Sequence, residues 1–244
     1  HRAIESLWPA RRLGKLPEAR CPPWQSLTDR CMSRLRITEI FYSLQGEGLT
    51  AGCPTVFVRL TGCPLRCHYC DTAYAFSGGE WREIGDILRQ VAEYKPRYVC
   101  VTGGEPLAQK ASFELLTALC DQGYAVSVET SGSLDITRVD ARVSRVVDIK
   151  TPGSGESERN LEANLNHLAA RDQVKFVICD EADYRWSRAQ VEAKRLAERC
   201  QVLFSPAHGR VKPVQLADWI IRDNLPVRYQ LQLHKLLWGD RPGR

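Results

Sequence analysis

Three cysteines lie within eight residues of one another, in the spacing Cys63-x3-Cys67-x2-Cys70. Structural zinc sites normally have four protein ligands, so three thiolates from one short loop leave a metal centre one ligand short. A four-iron four-sulfur cluster held by three cysteines would keep one iron open for a further ligand. The spacing therefore favours such a cluster. A zinc ion completed by His68 or by a distant cysteine is the alternative that the spacing leaves open.

A second motif follows the next predicted helix, at the end of a short apolar strand. It reads Val101-Thr-Gly-Gly-Glu-Pro106, and its glycines would let the backbone approach a ligand closely. With Tyr69 directly before the last cysteine, the two motifs together resemble the radical S-adenosylmethionine (SAM) superfamily. The resemblance implies that the cysteines bind a 4Fe-4S cluster and that the glycine motif holds the amino group of SAM.

Further segments resemble one family within that superfamily. They are residues 39–48, 54–59, 70–72, 129–133, 148–150, 205–208 and 232–235, and the likeness runs from Met32 to the C-terminus. The family is that of the 7-carboxy-7-deazaguanine synthases (QueE). The resemblance implies a lyase that contracts the ring of 6-carboxy-5,6,7,8-tetrahydropterin to 7-carboxy-7-deazaguanine with loss of ammonia, in queuosine and 7-deazapurine biosynthesis. It also implies SAM as a regenerated cofactor, Mg2+, a reducing electron donor such as flavodoxin, and a homodimer.

The family resemblance also implies roles for individual residues. The cluster ligands would be the three cysteines, and Thr72 would offer its hydroxyl to Mg2+, a cation that prefers oxygen ligands. The Glu47 carboxylate would accept from N–H groups of a pterin, and Arg59 would pair bidentately with the substrate carboxylate. The implied SAM site is Tyr69, Cys70, Asp71, Gly104, Ser131, Asp148, Ile149, Lys150 and Ser205. The implied substrate site is Leu44, Gln45, Gly46, Glu47, Arg59 and Thr102.

Some of these residues also have an ordinary structural interpretation. Residues 45–48 would form a simple turn, Arg59 would face water from a strand, and Thr72 would hydrogen-bond within its own loop. Lys150 closes an apolar strand and is expected to point into the mouth of the site. The roles of His208 and His234 stay open.

Short apolar strands and amphipathic helices alternate from Met32 onward. The predicted strands are 35–41, 55–60, 98–102, 124–129, 146–150, 174–179, 202–205 and 228–233; the predicted helices are 83–94, 112–122, 158–170, 181–199 and 214–224. This alternation is typical of βαβ units and a parallel sheet. About six repeats predict an α/β fold, a partial (β/α)6 radical-SAM barrel with a mostly parallel curved sheet. Functional residues are then expected at the C-terminal ends of the strands.

The composition excludes several other classes of protein. The 244 residues are 43% hydrophobic and 26% charged, as in ordinary globular proteins, and no apolar run reaches the roughly 18 residues of a membrane helix. Of the net charge of +5, residues 1–31 contribute +3, from six basic and three acidic residues. The remainder is nearly neutral, so we expect no nucleic-acid partner. The cysteines outside the trio are scattered, which fits a reducing cytoplasm.

Residues 1–31 differ from the rest of the chain. They show no strand alternation and only a weak helical pattern, and they precede Met32, the single methionine of the sequence. We therefore expect a non-native, unstructured leader at 1–31 and one radical SAM core domain at 32–244.

Two other functions remain possible from the sequence. A glycyl-radical-enzyme activase would share the cysteine trio and the glycine motif but would act on a protein backbone. Such an enzyme would not need Glu47 and Arg59, which suit a small anionic heterocycle. A non-enzymatic zinc-binding module would bind about one metal ion and would not cleave SAM.

Overall fold

The computed structural model describes residues 33–239, 241 and 243. The predicted leader at 1–31 and its boundary at Met32 lie outside the described residues. Among the described residues, nine strands form one sheet. They are β1 (Arg34–Leu44), β2 (Pro54–Leu60), β3 (Glu80–Glu83), β4 (Tyr98–Gly103), β5 (Ala125–Thr130), β6 (Ser144–Asp148), β7 (Gln173–Ile178), β8 (Gln201–Pro206) and β9 (Arg228–Tyr229).

The strand order is β3-β1-β2-β4-β5-β6-β7-β8-β9. Strand β1 is antiparallel to both β2 and β3, whereas every neighbouring pair from β2 to β9 is parallel. The sheet stays open, with β3 and β9 at its edges. The predicted α/β class with a mostly parallel sheet is confirmed.

The helices are α1 (Ile84–Glu93), α2 (Ser112–Asp121), α3 (Glu181–Ala193), α4 (Pro213–Arg222) and α5 (Leu233–Trp238). Helix α1 buries Ile84, Ile87 and Val91, positions that recur at intervals of three and four residues and so share one face. The central strands are apolar almost throughout, because both of their faces are covered, as is usual in parallel sheets. In β4, for example, Val99, Cys100 and Val101 are fully buried.

The predicted helix at 158–170 is wrong. The chain there forms two short 3-10 turns, Ser157–Arg159 and Glu162–His167. Asparagine side chains compete with helical hydrogen bonding by binding backbone groups elsewhere, and two of them do so here. Asn160 accepts from the Lys150 N–H at 2.8 Å and donates to the Lys150 carbonyl at 2.8 Å. Asn164 donates to the carbonyls of Gly132 and Leu134.

Two other predicted elements end earlier than expected, and one strand was missed. The predicted strand 228–233 is only Arg228–Tyr229, and helix α5 begins at Leu233. The predicted helix 181–199 ends at Ala193, because Arg195 adopts a left-handed conformation with φ 49°. Strand β3, which pairs with the N-terminal half of β1, is absent from the prediction.

Among the described residues, no helix has both the length and the apolar character needed to cross a bilayer.

Candidate active site

A cavity of about 220 Å³ opens at the C-terminal ends of the parallel strands. Each of the strands β2 and β4 to β7 contributes a polar side chain to its wall. These are Arg59, Thr102, Glu129, Asp148 and Lys175. The cavity therefore lies at the edge of the sheet where functional residues are expected.

The three motif cysteines line this cavity on the loop that follows β2. All three are free thiols of intermediate burial. The loop is fixed by Leu65, which is 1% exposed, and by a hydrogen bond of 3.0 Å from the His68 N–H to the carbonyl of Ser154. The short loop therefore presents three sulfur atoms to one space.

Three thiols on one loop are a donor set that fits a 4Fe-4S cluster with one iron left open. Burial raises the pKa of all three thiols, that of Cys67 to about 11, while the nearby Lys150 ammonium lowers it. Within the described part of the chain, no three His, Cys, Asp or Glu side chains converge on a point that could hold one metal ion.

The Gly103-Gly104-Glu105 turn packs directly against the cysteine loop. A Cβ atom at Gly104 would lie 2.2 Å from the carbonyl oxygen of Gly62 and 2.9 Å from the Cβ of Cys63, and Gly103 has a φ of +137°. Only glycine permits this approach. The two sequence motifs therefore meet in space, as their pairing in the sequence predicts.

Glu105 is fully buried and connects the turn to the end of β5. Its carboxylate accepts from the Leu107 N–H at 2.9 Å, from the Thr130 hydroxyl at 2.9 Å and from the Ser131 N–H at 2.7 Å. Such charge-assisted bonds are about twice as strong as neutral ones. Glu105 thus holds Ser131, one of the predicted SAM residues, beside the turn.

Two buried polar atoms near the cysteines have no partner within the described residues. They are the Tyr69 hydroxyl and Asp148 Oδ1. Burial raises the pKa of Tyr69 well above its ordinary value, so its hydroxyl remains a donor. Buried polar groups are nearly always hydrogen-bonded, so these two atoms fit a site whose ligand supplies the missing partners.

Lys150 and Asp148 form an ion pair of 3.0 Å beside those atoms. Lys150 lines the cavity, and its Nζ lies 5.9 Å from the centre of the Tyr69 ring. Ile149 and Ser205, also expected in the SAM site, do not line the cavity. Ile149 belongs to the hydrophobic core, and Ser205 is buried at the end of β8. Side-chain contacts of these two residues with SAM are therefore not supported.

Residues 44–47, which comprise the last residue of β1 and the three that follow it, all line the cavity. Gln45 is 5% exposed, so the segment is not a solvent-facing turn. A Cβ atom at Gly46 would lie 2.3 Å from Nδ1 of His234, which brings that histidine against the cavity wall. His208 also lines the cavity.

Glu47 is held by one ammonium and two amide groups. Lys175 Nζ lies 2.6 Å from its Oε2, Gln232 donates to Oε1 at 2.9 Å and Gln230 to Oε2 at 3.3 Å. An ionised carboxylate has about four acceptor positions. One position therefore remains for a ligand.

Glu129 and Lys175 are cavity residues that sequence reasoning missed. Glu129 accepts from the Thr102 hydroxyl at 2.8 Å and from the Gln45 amide at 3.3 Å, which leaves about two of its acceptor positions unused. The available signal was a charged residue inside an otherwise buried strand: Glu129 within Ala125–Thr130, and Lys175 within Gln173–Ile178.

Arg59 faces the cavity rather than water. Its side chain is 16% exposed, and Nε donates to Oε1 of Glu39 at 2.7 Å. The rings of Phe41 and Tyr74 lie 5.7 and 5.8 Å from the guanidinium carbon. Burial would lower the pKa of Arg59, but Tyr74, Glu39 and Glu129 raise it overall. The guanidinium is therefore a cation held by Glu39, and its terminal N–H groups have no hydrogen bond to a side chain of residues 33–239.

Thr72 and Asp71 form a pair of oxygen donors beside the last cysteine. The Thr72 hydroxyl donates to Oδ1 of Asp71 at 2.8 Å. Thr72 therefore forms a hydrogen bond within its own loop, as its ordinary structural interpretation expects. Burial would raise the pKa of Asp71, but the Thr72 hydrogen bond and the charges of Lys235 and Lys175 lower it overall. An ionised carboxylate next to a hydroxyl oxygen suits a hard cation such as Mg2+.

Comparison with known proteins gives one consistent result. Residues 57–148 match the radical SAM superfamily. The 7-carboxy-7-deazaguanine synthase of Chlorobaculum tepidum is 46% identical over 84% of this chain and 94% of its own length. That of Methanospirillum hungatei is 41% identical over 84% of this chain and 86% of its own length.

Solved structures agree on the fold. QueE from Escherichia coli superposes with a TM-score of 0.68 at 23% identity, over 82% of this chain and 95% of that one. Streptococcus suis SuiB bound to S-adenosylmethionine shares the fold more distantly, with a TM-score of 0.51 at 13% identity, over 70% of this chain and 45% of that one.

Proposed function

The chain belongs to the 7-carboxy-7-deazaguanine synthase family of radical SAM enzymes. We propose that one group of its cavity residues binds the cluster and SAM and that another group binds the substrate. The enzyme is a lyase that converts 6-carboxy-5,6,7,8-tetrahydropterin to 7-carboxy-7-deazaguanine and ammonia. The conversion is a rearrangement with loss of one nitrogen and needs no net oxidant. When bound, the reduced 4Fe-4S cluster and SAM supply the radical that takes a hydrogen atom from C6 of the substrate.

The first half of the cavity binds the cluster and SAM. Cys63, Cys67 and Cys70 would hold three irons, and the Gly103-Gly104 backbone would accept the SAM amino group. The partnerless Tyr69 hydroxyl and Asp148 Oδ1 supply a donor and an acceptor for the polar groups of SAM. Lys150 keeps the Asp148 carboxylate in place.

The second half orients the pterin. Arg59 would pair with the substrate carboxylate through its terminal N–H groups, since its Nε is occupied by Glu39. Glu47 and Glu129 retain acceptor positions that suit the adjacent N–H and amino donors of a pterin. Leu44, Gln45, Gly46 and Thr102 shape the same wall. The observation that carries this assignment is that Arg59 and the two carboxylates line one cavity with the three cysteines.

A magnesium ion would bind at Thr72 and Asp71. Mg2+ prefers oxygen ligands and keeps several waters, and the cavity offers a hydroxyl and an ionised carboxylate there. The ion would orient the substrate oxygens as a template.

We extend the proposal to the cellular setting. A low-potential reductant such as flavodoxin would supply electrons, the enzyme would act as a homodimer in the cytoplasm, and its product would enter queuosine and related 7-deazapurine pathways, including transfer-RNA modification. The eight described cysteines are all free thiols, which supports a reducing compartment.

Anaerobic turnover of the reconstituted protein tests the proposal. With SAM, reductant, Mg2+ and 6-carboxytetrahydropterin, we expect 7-carboxy-7-deazaguanine and ammonia in equal amounts, with more product formed than SAM consumed. An activase would cleave SAM without forming this product. A zinc module would show neither iron, nor sulfide, nor SAM cleavage. Either result would refute the assignment.

A further inference from the structure

Two lysines, the buried Lys150 and the partly buried Lys175, line the cavity and share an aspartate. Lys150 Nζ lies 3.0 Å from Asp148 Oδ2, whereas Lys175 Nζ lies 3.6 Å from the same oxygen and 2.6 Å from Glu47 Oε2. Lys150 is therefore the main partner of Asp148, on the side assigned to SAM. Lys175 is the main partner of Glu47, on the side assigned to the pterin.

The Glu47–Lys175 pair is almost removed from water. The two side chains are 13% and 14% exposed. Burial would lower the pKa of Lys175, but the carboxylates of Glu47, Asp148 and Glu129 raise it well above its ordinary value. The raised pKa keeps Lys175 a cation at neutral pH, which suits it to pair with Glu47.

The balance of charge at this end of the cavity is negative. Three carboxylates, those of Glu47, Asp148 and Glu129, face the ammonium groups of Lys175 and Lys150. An anionic group of a substrate is repelled here and attracted by Arg59, whose terminal N–H groups are available. Donor groups of a substrate are instead attracted by the carboxylates, so this end of the cavity selects the nitrogen-bearing edge.

Lys175 also determines how Glu47 is presented. Without it, the carboxylate would keep only two neutral amide donors, Gln230 and Gln232. A buried carboxylate that loses its cation keeps its desolvation cost without compensation. The carboxylate would then turn towards other donors or take up water, and its remaining acceptor position would no longer be fixed.

We propose that Lys175 is a positioning residue for the substrate, which acts by holding the Glu47 carboxylate against the N–H groups of the pterin. The inference rests on the proposed function, since it assigns how one predicted substrate contact is maintained. A purely structural role of Lys175 would affect the binding of SAM and of the pterin alike. The proposed role instead affects mainly the pterin, through Glu47, while Lys150 is the main lysine on the SAM side.

The test compares Lys175→Met with Lys150→Met, a matched loss of the other ammonium near Asp148. For Lys175→Met we expect KM for 6-carboxytetrahydropterin to rise about tenfold or more. The dissociation constant of SAM should change less than this KM, because Lys175 Nζ lies 3.6 Å from Asp148 Oδ2 but 2.6 Å from Glu47 Oε2. Lys150→Met should show the opposite pattern, with weaker SAM binding and a smaller change in KM for the pterin.

A double-variant cycle tests whether Lys175 acts through Glu47. Lys175→Met should have little further effect on KM in a Glu47→Gln background, because the group that it positions is already neutral. This double variant also avoids an unpaired buried charge, so it remains informative if Lys175→Met alone does not fold. An unchanged KM, a loss of SAM affinity like that of Lys150→Met, or full additivity with Glu47→Gln would overturn the inference. Absence of turnover in the wild-type enzyme would refute the proposed function instead.

Discussion

Replacing Arg59 by lysine keeps the positive charge but removes the planar pair of N–H donors. In the structure Nε is engaged by Glu39 at 2.7 Å, and the side chain is only 16% exposed. Under the proposed function, the remaining N–H groups would meet the substrate carboxylate in a site with little screening by solvent. Truncating one partner of such a buried pair costs about 2–5 kcal/mol, and lysine cannot reproduce the two-point contact.

This cost corresponds to a loss of about 30-fold to several thousand-fold in kcat/KM. The assay is anaerobic turnover of 6-carboxytetrahydropterin, with iron, sulfide and substrate-independent SAM cleavage measured on the same samples. Arg97→Lys is the matched control, because Arg97 is exposed, contacts the ring of Tyr98 and does not line the cavity. If Arg59→Lys retains kcat/KM within about threefold of the wild type at equal cluster content, Arg59 does not bind the substrate carboxylate.

Two further substitutions test a cavity residue, Gly46, and the buried Glu105 next to the cavity-lining glycine turn. Gly46→Ala places a Cβ atom 2.3 Å from His234 Nδ1, so we expect pterin binding to weaken by about 1–3 kcal/mol. The control Gly85→Ala, whose Cβ would make only an ordinary contact of 3.7 Å with Arg89 Nη1, should bind the pterin normally. Equal pterin affinities of the two variants, measured by titration, would contradict the role of this contact. Glu105→Gln should lower the free energy of unfolding by about 1–3 kcal/mol, because hydrogen bonds to a buried charged group are weakened. Urea denaturation measures this loss, with Glu114→Gln as the control at an exposed position. Equal denaturation midpoints for the two variants would contradict an anchoring role of Glu105.

Much of the fold follows from hydrophobic patterning. Strands such as β4 and β8 are apolar because both faces are buried, and helix α1 shows a clear apolar stripe, so the sequence predicts them well. The region 158–170 has helix-compatible residues but forms 3-10 turns, because Asn160 and Asn164 bind the backbone of distant loops. Those partners lie 10 and 32 residues away, beyond the reach of a local pattern.

The sequence likewise predicts some residues of the candidate site but not others. The cysteines and the glycine turn are predictable because each motif is local in sequence, and the structure shows that they meet at Gly104 and Cys63. Glu129 and Lys175 were missed because their meaning depends on partners in other strands. A charge within a buried strand was the only sign, and it does not reveal which neighbour balances it.

The central claim is that the chain forms 7-carboxy-7-deazaguanine with a cluster bound by the three motif cysteines. Its most direct test measures product formation by Cys67→Ala, with Cys120→Ala as the control. Cys67 lines the cavity, whereas Cys120 lies on α2 and does not. After anaerobic reconstitution, we expect Cys120→Ala to bind about four irons and to form 7-carboxy-7-deazaguanine at close to the wild-type rate. Cys67→Ala should lack the cluster absorbance and form neither 5′-deoxyadenosine nor product. Turnover by Cys67→Ala, or SAM cleavage by the wild type with no 7-carboxy-7-deazaguanine, would contradict the claim.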